Sequence, residues 1–134
     1  MTAKTLFDFQ IIYSRFKDML SKYAVAELHL NAGKPDQCEL IGPPTPRSQG
    51  REVWFGAARI GKRYVAYHLM PVYACPDLLE GMSPELKKRM QGKSCFNFTH
   101  TDERLFQELA ELTSRGFERY KREGLIGKSE APYR

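Results

Sequence analysis

The 134-residue sequence is short of the features that most sharply define a function. It has no long apolar run. A membrane helix needs about 18 or more apolar residues, and a secretion leader needs an unbroken apolar stretch after a basic start. Here the first residues enter an amphipathic pattern that already holds Asp8, Arg15, Lys17 and Asp18. Membrane partners are therefore not expected, and the reading is of a cytoplasmic protein. There are only three cysteines, Cys38, Cys75 and Cys95, widely spaced and with no CxxC knuckle, so reduced thiols are expected rather than a disulfide framework. His29, His68 and His100 stand alone, with neither helical pairing nor a cysteine partner; no metal site and no cofactor are expected.

Phosphate-binding glycine loops are missing as well. Gly92-Lys93-Ser94 resembles the end of one, but Lys87 stands where the earlier glycine belongs, and the order is helix then strand. A nucleophile–base pair built from Cys95 and His68 or His100 lacks an orienting third group and an oxyanion signature. The net charge of +5 comes largely from Arg115, Arg119, Lys121, Arg122, Lys128 and Arg134, with a second group at Lys87, Lys88, Arg89 and Lys93. No recognised nucleic-acid motif accompanies these charges, and solvated helix faces carry the same pattern, so nucleic acid is not the expected partner.

What remains is core material. Hydrophobic residues make up 42% and charged residues 28% of a chain that contains 8 Phe and 7 Tyr. That balance suits a single domain over residues 1–134, with a frayed tail over 124–134. The expected fold class is α+β, an antiparallel sheet of about five strands packed with N- and C-terminal helices.

Phe9, Ile12, Tyr13, Phe16, Met19, Leu20 and Tyr23 recur at helical spacing, which predicts a helix over 5–23 capped by Thr5 with Asp8. Strands are predicted over 25–30 and 37–41, followed by a proline loop over 42–50. The strongest local signal is a hairpin over 52–71, turning at Gly61-Lys62 in a two-residue type II′ turn. That register places Ile60 opposite Arg63, Ala58 opposite Val65, Trp54 opposite Leu69 and Phe55 opposite His68. One side then carries Trp54, Ala58, Ile60, Val65, Tyr67 and Leu69. The other carries Val53, Phe55, Ala57, Arg59, Tyr64, Ala66, His68 and Met70, and both should be covered, the second by irregular segments, another subunit or a ligand. Ser83-Pro84-Glu85 starts a helix running to about Gln91 with Gly92 as its stop, and Ser94–Thr99 forms a further strand. Thr101 caps the last helix, whose apolar face holds Leu105, Phe106, Leu109, Leu112, Phe117 and Tyr120.

The surface around Phe55, Arg59, Tyr64, His68 and Met70 is the candidate site. It offers two donors and a titratable ring within apolar walls, for a small ligand, a protein partner or a second copy of the chain. The expected function is that of a non-enzymatic binding or interaction module, with a homodimer through this face as one form. The alternatives are a small enzyme using Cys95 or His68, and a weak nucleic-acid binder.

From Trp54 to Tyr120 the chain resembles the YdhG-like domain of unknown function, a small bacterial family. The resemblance rests on Gly61-Lys62-Arg63-Tyr64-Val65-Ala66-Tyr67-His68, on Pro71-Val72-Tyr73, on Ser83-Pro84-Glu85-Leu86, and on Gly92-Lys93-Ser94-Cys95-Phe96-Asn97-Phe98. It implies an α+β sandwich. Some relatives are linked to frataxin-like iron delivery, which uses an acidic ridge. This chain departs from that pattern, since Asp8, Asp18 and Glu27 are offset by Arg15, Lys17 and Lys22.

Overall fold

The computed structural model describes residues 2–25 and 27–126. The chain folds as α1 (Ala3–Ser21), β1 (His29–Lys34), β2 (Gln37–Gly42), β3 (Val53–Ile60), β4 (Val65–Leu69), α2 (Met70–Ala74), α3 (Pro84–Lys87), β5 (Met90–Gln91), β6 (Cys95–Phe98) and α4 (Glu103–Arg122). Short 3-10 turns occur at Pro46–Ser48 and Pro76–Leu79. The strands form one six-stranded sheet in the order β1-β2-β3-β4-β6-β5, and every neighbouring pair is antiparallel. The α+β class holds, with β5 as a strand beyond the expected five.

Helix α1 buries Phe9, Ile12, Tyr13, Phe16 and Leu20 along a single stripe. Phe16 sits where four elements meet: its ring centroid lies 5.1 Å from Tyr67 on β4, 5.5 Å from Phe98 on β6 and 5.3 Å from Phe106 on α4. Tilted and edge-on ring pairs of this kind add to the stabilisation from burial alone. Tyr67 is fully buried, and its hydroxyl shares a 2.8 Å hydrogen bond with Thr113, whose own hydroxyl donates to the Leu109 carbonyl. Helix α4 approaches α2 closely because Gly116 has no side chain; a Cβ there would lie 2.9 Å from Pro71 Cβ.

Several boundaries move from their expected places. Thr2, not Thr5, caps α1, accepting from the Thr5 amide. The first strand lies at 29–34 instead of 25–30, of which Ala26 is outside the described residues. The helix at Ser83 ends by Lys87, and Met90–Gln91 pair instead with β6. Asp102 rather than Thr101 caps α4. The expected frayed tail is packed at its start, where Ile126 is buried; its remainder, 127–134, lies outside the described residues.

Two corrections to the β3–β4 ribbon decide which residues can form a site. The turn spans Gly61–Tyr64, closed by the Gly61 amide donating to the Tyr64 carbonyl at 2.8 Å, with Ile60 paired to Val65. The register is therefore two residues from the expected one: Ala57 faces His68 and Gly56 faces Leu69. A two-residue shift leaves every side chain on its original face, because strand side chains alternate with period two. The second correction does change faces. Between β2 and β3 the pairing slips, with Leu40 opposite Gly56 but Ile41 opposite Trp54, so Phe55 is the extra residue of a β-bulge. The bulge turns Phe55 toward the helices and Trp54 away from them.

Candidate functional site

The two long helices and α2 lie against one face of the sheet, where Leu40, Phe55, Ala58, Tyr67, Leu69, Phe96 and Phe98 are buried. Among the described residues no helix crosses the other face. The helices thus account for the cover expected on one face only. At the centre of the open face are the methyl groups of Ala57 and Ala66, and around them are the half-buried Gln37, Glu39, His68 and Trp54 and the exposed Arg59.

Strand pairing assembles this face. Arg59 lies opposite Gln37 on one side and Ala66 on the other. Ala57 lies between Glu39 and His68, and His68 is opposite Cys95. The result is a cavity of about 200 Å³ lined by Gln37, Glu39, Trp54, Arg59, His68 and Cys95 around Ala57 and Ala66. Trp54 forms a wall with its ring centroid 4.8 Å from that of His68. Beyond the same two rings is a shallower apolar groove of about 410 Å³, bordered by Met70, Tyr73 and the Gln91–Cys95 segment.

His68 is held from behind. Its Nε2 is hydrogen-bonded to the Ser94 hydroxyl at 2.6 Å, while the Ser94 carbonyl accepts from the Leu69 amide at 2.9 Å. Partial burial disfavours the charged imidazolium and lowers the His68 pKa from the ordinary 6.5. Burial raises the Cys95 thiol, only partly opposed by the nearby Arg59 guanidinium. Cys95 is thereby a protonated thiol rather than a poised thiolate. Ser94 is 5% exposed, so its hydroxyl serves to orient the imidazole more readily than to attack a substrate.

Of the candidate residues, Arg59 and His68 meet in the cavity and Met70 borders the adjoining groove. Phe55 does not belong to this surface. It is fully buried on the opposite face, with its ring 6.1 Å from Phe117 and 5.8 Å from Tyr120. Tyr64 sits in the turn and lines neither depression. Trp54 takes the place assigned to Phe55. The signal for that exchange is Gly56, since an isolated glycine inside a strand marks a bulge. Gln37, Glu39 and Ser94 carry no such signal; strand pairing alone brings them in.

The terminal basic cluster is partly internal. Arg119 holds Asp77 through hydrogen bonds of 3.1 and 2.5 Å, and Arg115 donates to the Leu78 carbonyl at 2.9 Å. These two cations tie α4 to the turn at 76–79. Among the described residues no cluster of histidine, cysteine and carboxylate groups is placed to hold a metal ion, and no helix is long and apolar enough to cross a membrane. No family model matches the chain, and comparison with curated proteins and with solved structures finds no match either.

Proposed function

We propose that this chain is a non-enzymatic binding module that takes a small organic ligand on the open face of its sheet. The observation that carries the reading is the cavity of about 200 Å³ over Ala57 and Ala66, with an indole, a guanidinium, a carboxylate and an imidazole converging on it. A floor of two methyl groups lets a ligand approach the sheet closely, while the surrounding polar groups set its orientation. The raised Cys95 thiol and the buried Ser94 hydroxyl favour binding over covalent catalysis. Three cysteines free of disulfides fit a reducing compartment, which supports a cytoplasmic setting.

A second copy of the chain is the competing occupant. A homodimer core is normally more apolar than this face, with its exposed arginine and half-buried carboxylate, so the small-ligand reading is preferred. Trp54 is the sole tryptophan, and its fluorescence reports on the site without labelling. A fragment screen read by Trp54 fluorescence and by amide shifts of Ala57 and Ala66 should yield binders weakened by Trp54→Ala. Light scattering that shows a dimer abolished by Arg59→Glu, with no fragment perturbing Trp54, would replace the ligand by a second copy.

A further inference from the structure

The two charges in this cavity are the most informative groups in the molecule. Arg59 and Glu39 lie on neighbouring strands of the same face, offset diagonally, because Arg59 pairs with Gln37 and Glu39 with Ala57. Both line the cavity. The ion pairs among the described residues are Lys4–Asp8, Arg15–Glu103, Arg47–Glu123 and Arg119–Asp77. Neither Arg59 nor Glu39 takes part in one, although diagonal neighbours on a sheet are within reach of long side chains. Arg15 and Arg119, by contrast, each grip a carboxylate with both terminal nitrogens.

A cavity whose one cation and one anion form no ion pair among the described residues selects against singly charged ligands. A simple carboxylate satisfies Arg59 but is repelled by Glu39, and a simple amine has the reverse problem. A ligand with both charges a few atoms apart satisfies both. The guanidinium fork suits a carboxylate, and the Glu39 carboxylate suits an ammonium donor. Between the two charges lie the Ala57 and Ala66 methyls below and Trp54 at the side, with the uncharged Gln37 amide and the His68 ring completing the lining. A volume of about 200 Å³ has room for one side chain and not for a folded peptide.

Resting on the ligand-face reading above, we infer that the ligand is a free α-amino acid with an apolar side chain. Its carboxylate meets Arg59, its ammonium meets Glu39, and its side chain lies over Ala57 and Ala66 against Trp54.

The test uses the full chain with three probes: phenylalanine, 3-phenylpropanoate, which lacks the ammonium, and phenethylamine, which lacks the carboxylate. Binding is read by Trp54 fluorescence and by the amide shifts of Ala57 and Ala66. Phenylalanine should bind, and each analogue should bind about tenfold or more weakly, as expected for loss of a charged hydrogen bond. Glu39→Gln should reverse the preference, so that phenylpropanoate equals or exceeds phenylalanine. Arg59→Gln should weaken both carboxylates; circular dichroism and melting then confirm that each variant is folded. If phenylpropanoate binds the wild type as tightly as phenylalanine, the face is a ligand site but the zwitterion assignment is wrong. If apolar amino acids leave Trp54 unperturbed while the fragment screen finds other binders, the assignment is likewise overturned and the broader reading stands. Failure of both experiments overturns both.

Discussion

The Trp54 and His68 rings lie 4.8 Å apart between centroids, tilted at 54°, on the face of the sheet opposite α1 and α4. Each fixes the other, and Ser94 anchors His68 from the far side. The pair therefore forms a rigid wall shared by the central cavity and the adjoining apolar groove. Rigid walls reduce the ordering cost of binding, so the proposed ligand would meet a surface already in place.

His68 gives this wall a pH dependence whose sign is fixed by its burial. Its folded pKa lies below the 6.5 of a free imidazole, so between those values the unfolded chain binds more protons than the folded one. The stabilising contribution is present above 6.5 and is lost as pH falls through the folded value. Melting temperature should drop across that window, and His68→Gln should remove that part of the drop. Trp54 fluorescence, quenched by an adjacent imidazolium, should titrate with a midpoint below 6.5 and lose that transition in the same variant.

The bulge at Phe55 supplies a stability prediction with two arms. Phe55 is fully buried between Tyr23, Phe117 and Tyr120, so Phe55→Ala should cost about 3–5 kcal/mol in denaturant unfolding. Trp54→Ala, one residue away but on the open face, should cost markedly less while changing ligand binding. Equal losses at the two positions would mean that both rings belong to the core.

The same pair shows how much of the molecule was legible in the chain. Helix stripes read directly: Phe9, Ile12, Tyr13, Phe16 and Leu20 are buried as their spacing demands. The face shared by Ala57, Arg59, Ala66 and His68 was readable too, because a two-residue register error preserves alternation. Phe55 and Trp54 were exchanged because a bulge breaks alternation at one residue, and its only local mark is Gly56. Gly56 has a packing reason as well: a Cβ there would meet the His68 carbonyl oxygen at 2.8 Å and Leu20 Cδ2 at 3.0 Å. The contributions of Gln37 and Glu39 depend on which residue of β2 meets which residue of β3. That long-range register is set by the bulge and the turn together, not by any local pattern.

Gly116 should be the least tolerant position on α4. Alanine is ordinarily the better helix former by about 1 kcal/mol. Here its Cβ would lie 2.9 Å from Pro71 Cβ and 3.1 Å from Pro71 Cγ, atoms of a ring that cannot rotate away. Overpacking of this kind costs about 1–3 kcal/mol, so Gly116→Ala should lower the melting temperature despite its better propensity. A higher melting temperature would mean that α2 shifts freely, and the α2–α4 contact would then be a loose one.

The cross-link between Asp77 and Arg119 predicts the acid side of the stability curve. The Arg119 guanidinium, by hydrogen bonding first and charge second, holds the Asp77 carboxyl below its ordinary 3.8. Glu103 is lowered in the same way by Arg15. A depressed folded pKa means that the stabilisation is complete above the unfolded value and disappears as pH falls through the folded one. Both carboxylates are well exposed, so the effect is modest and weakens with added salt. Asp77→Asn should therefore shallow the loss of stability below about pH 4 and leave the His68 contribution to the slope below pH 6.5 unchanged. The converse variant separates charge from packing. Arg119 is 17% exposed, with its Nε buried and without a hydrogen-bond partner among the described residues. Arg119→Met keeps much of the stem and discards both the ion pair and that unsatisfied nitrogen. It should abolish the Asp77 contribution to the acid slope while costing less stability at neutral pH than Arg119→Ala, which also empties the space beside the turn at 76–79. Identical neutral-pH losses for the two variants would show that the pairing, and not the buried stem, is what holds α4 to that turn.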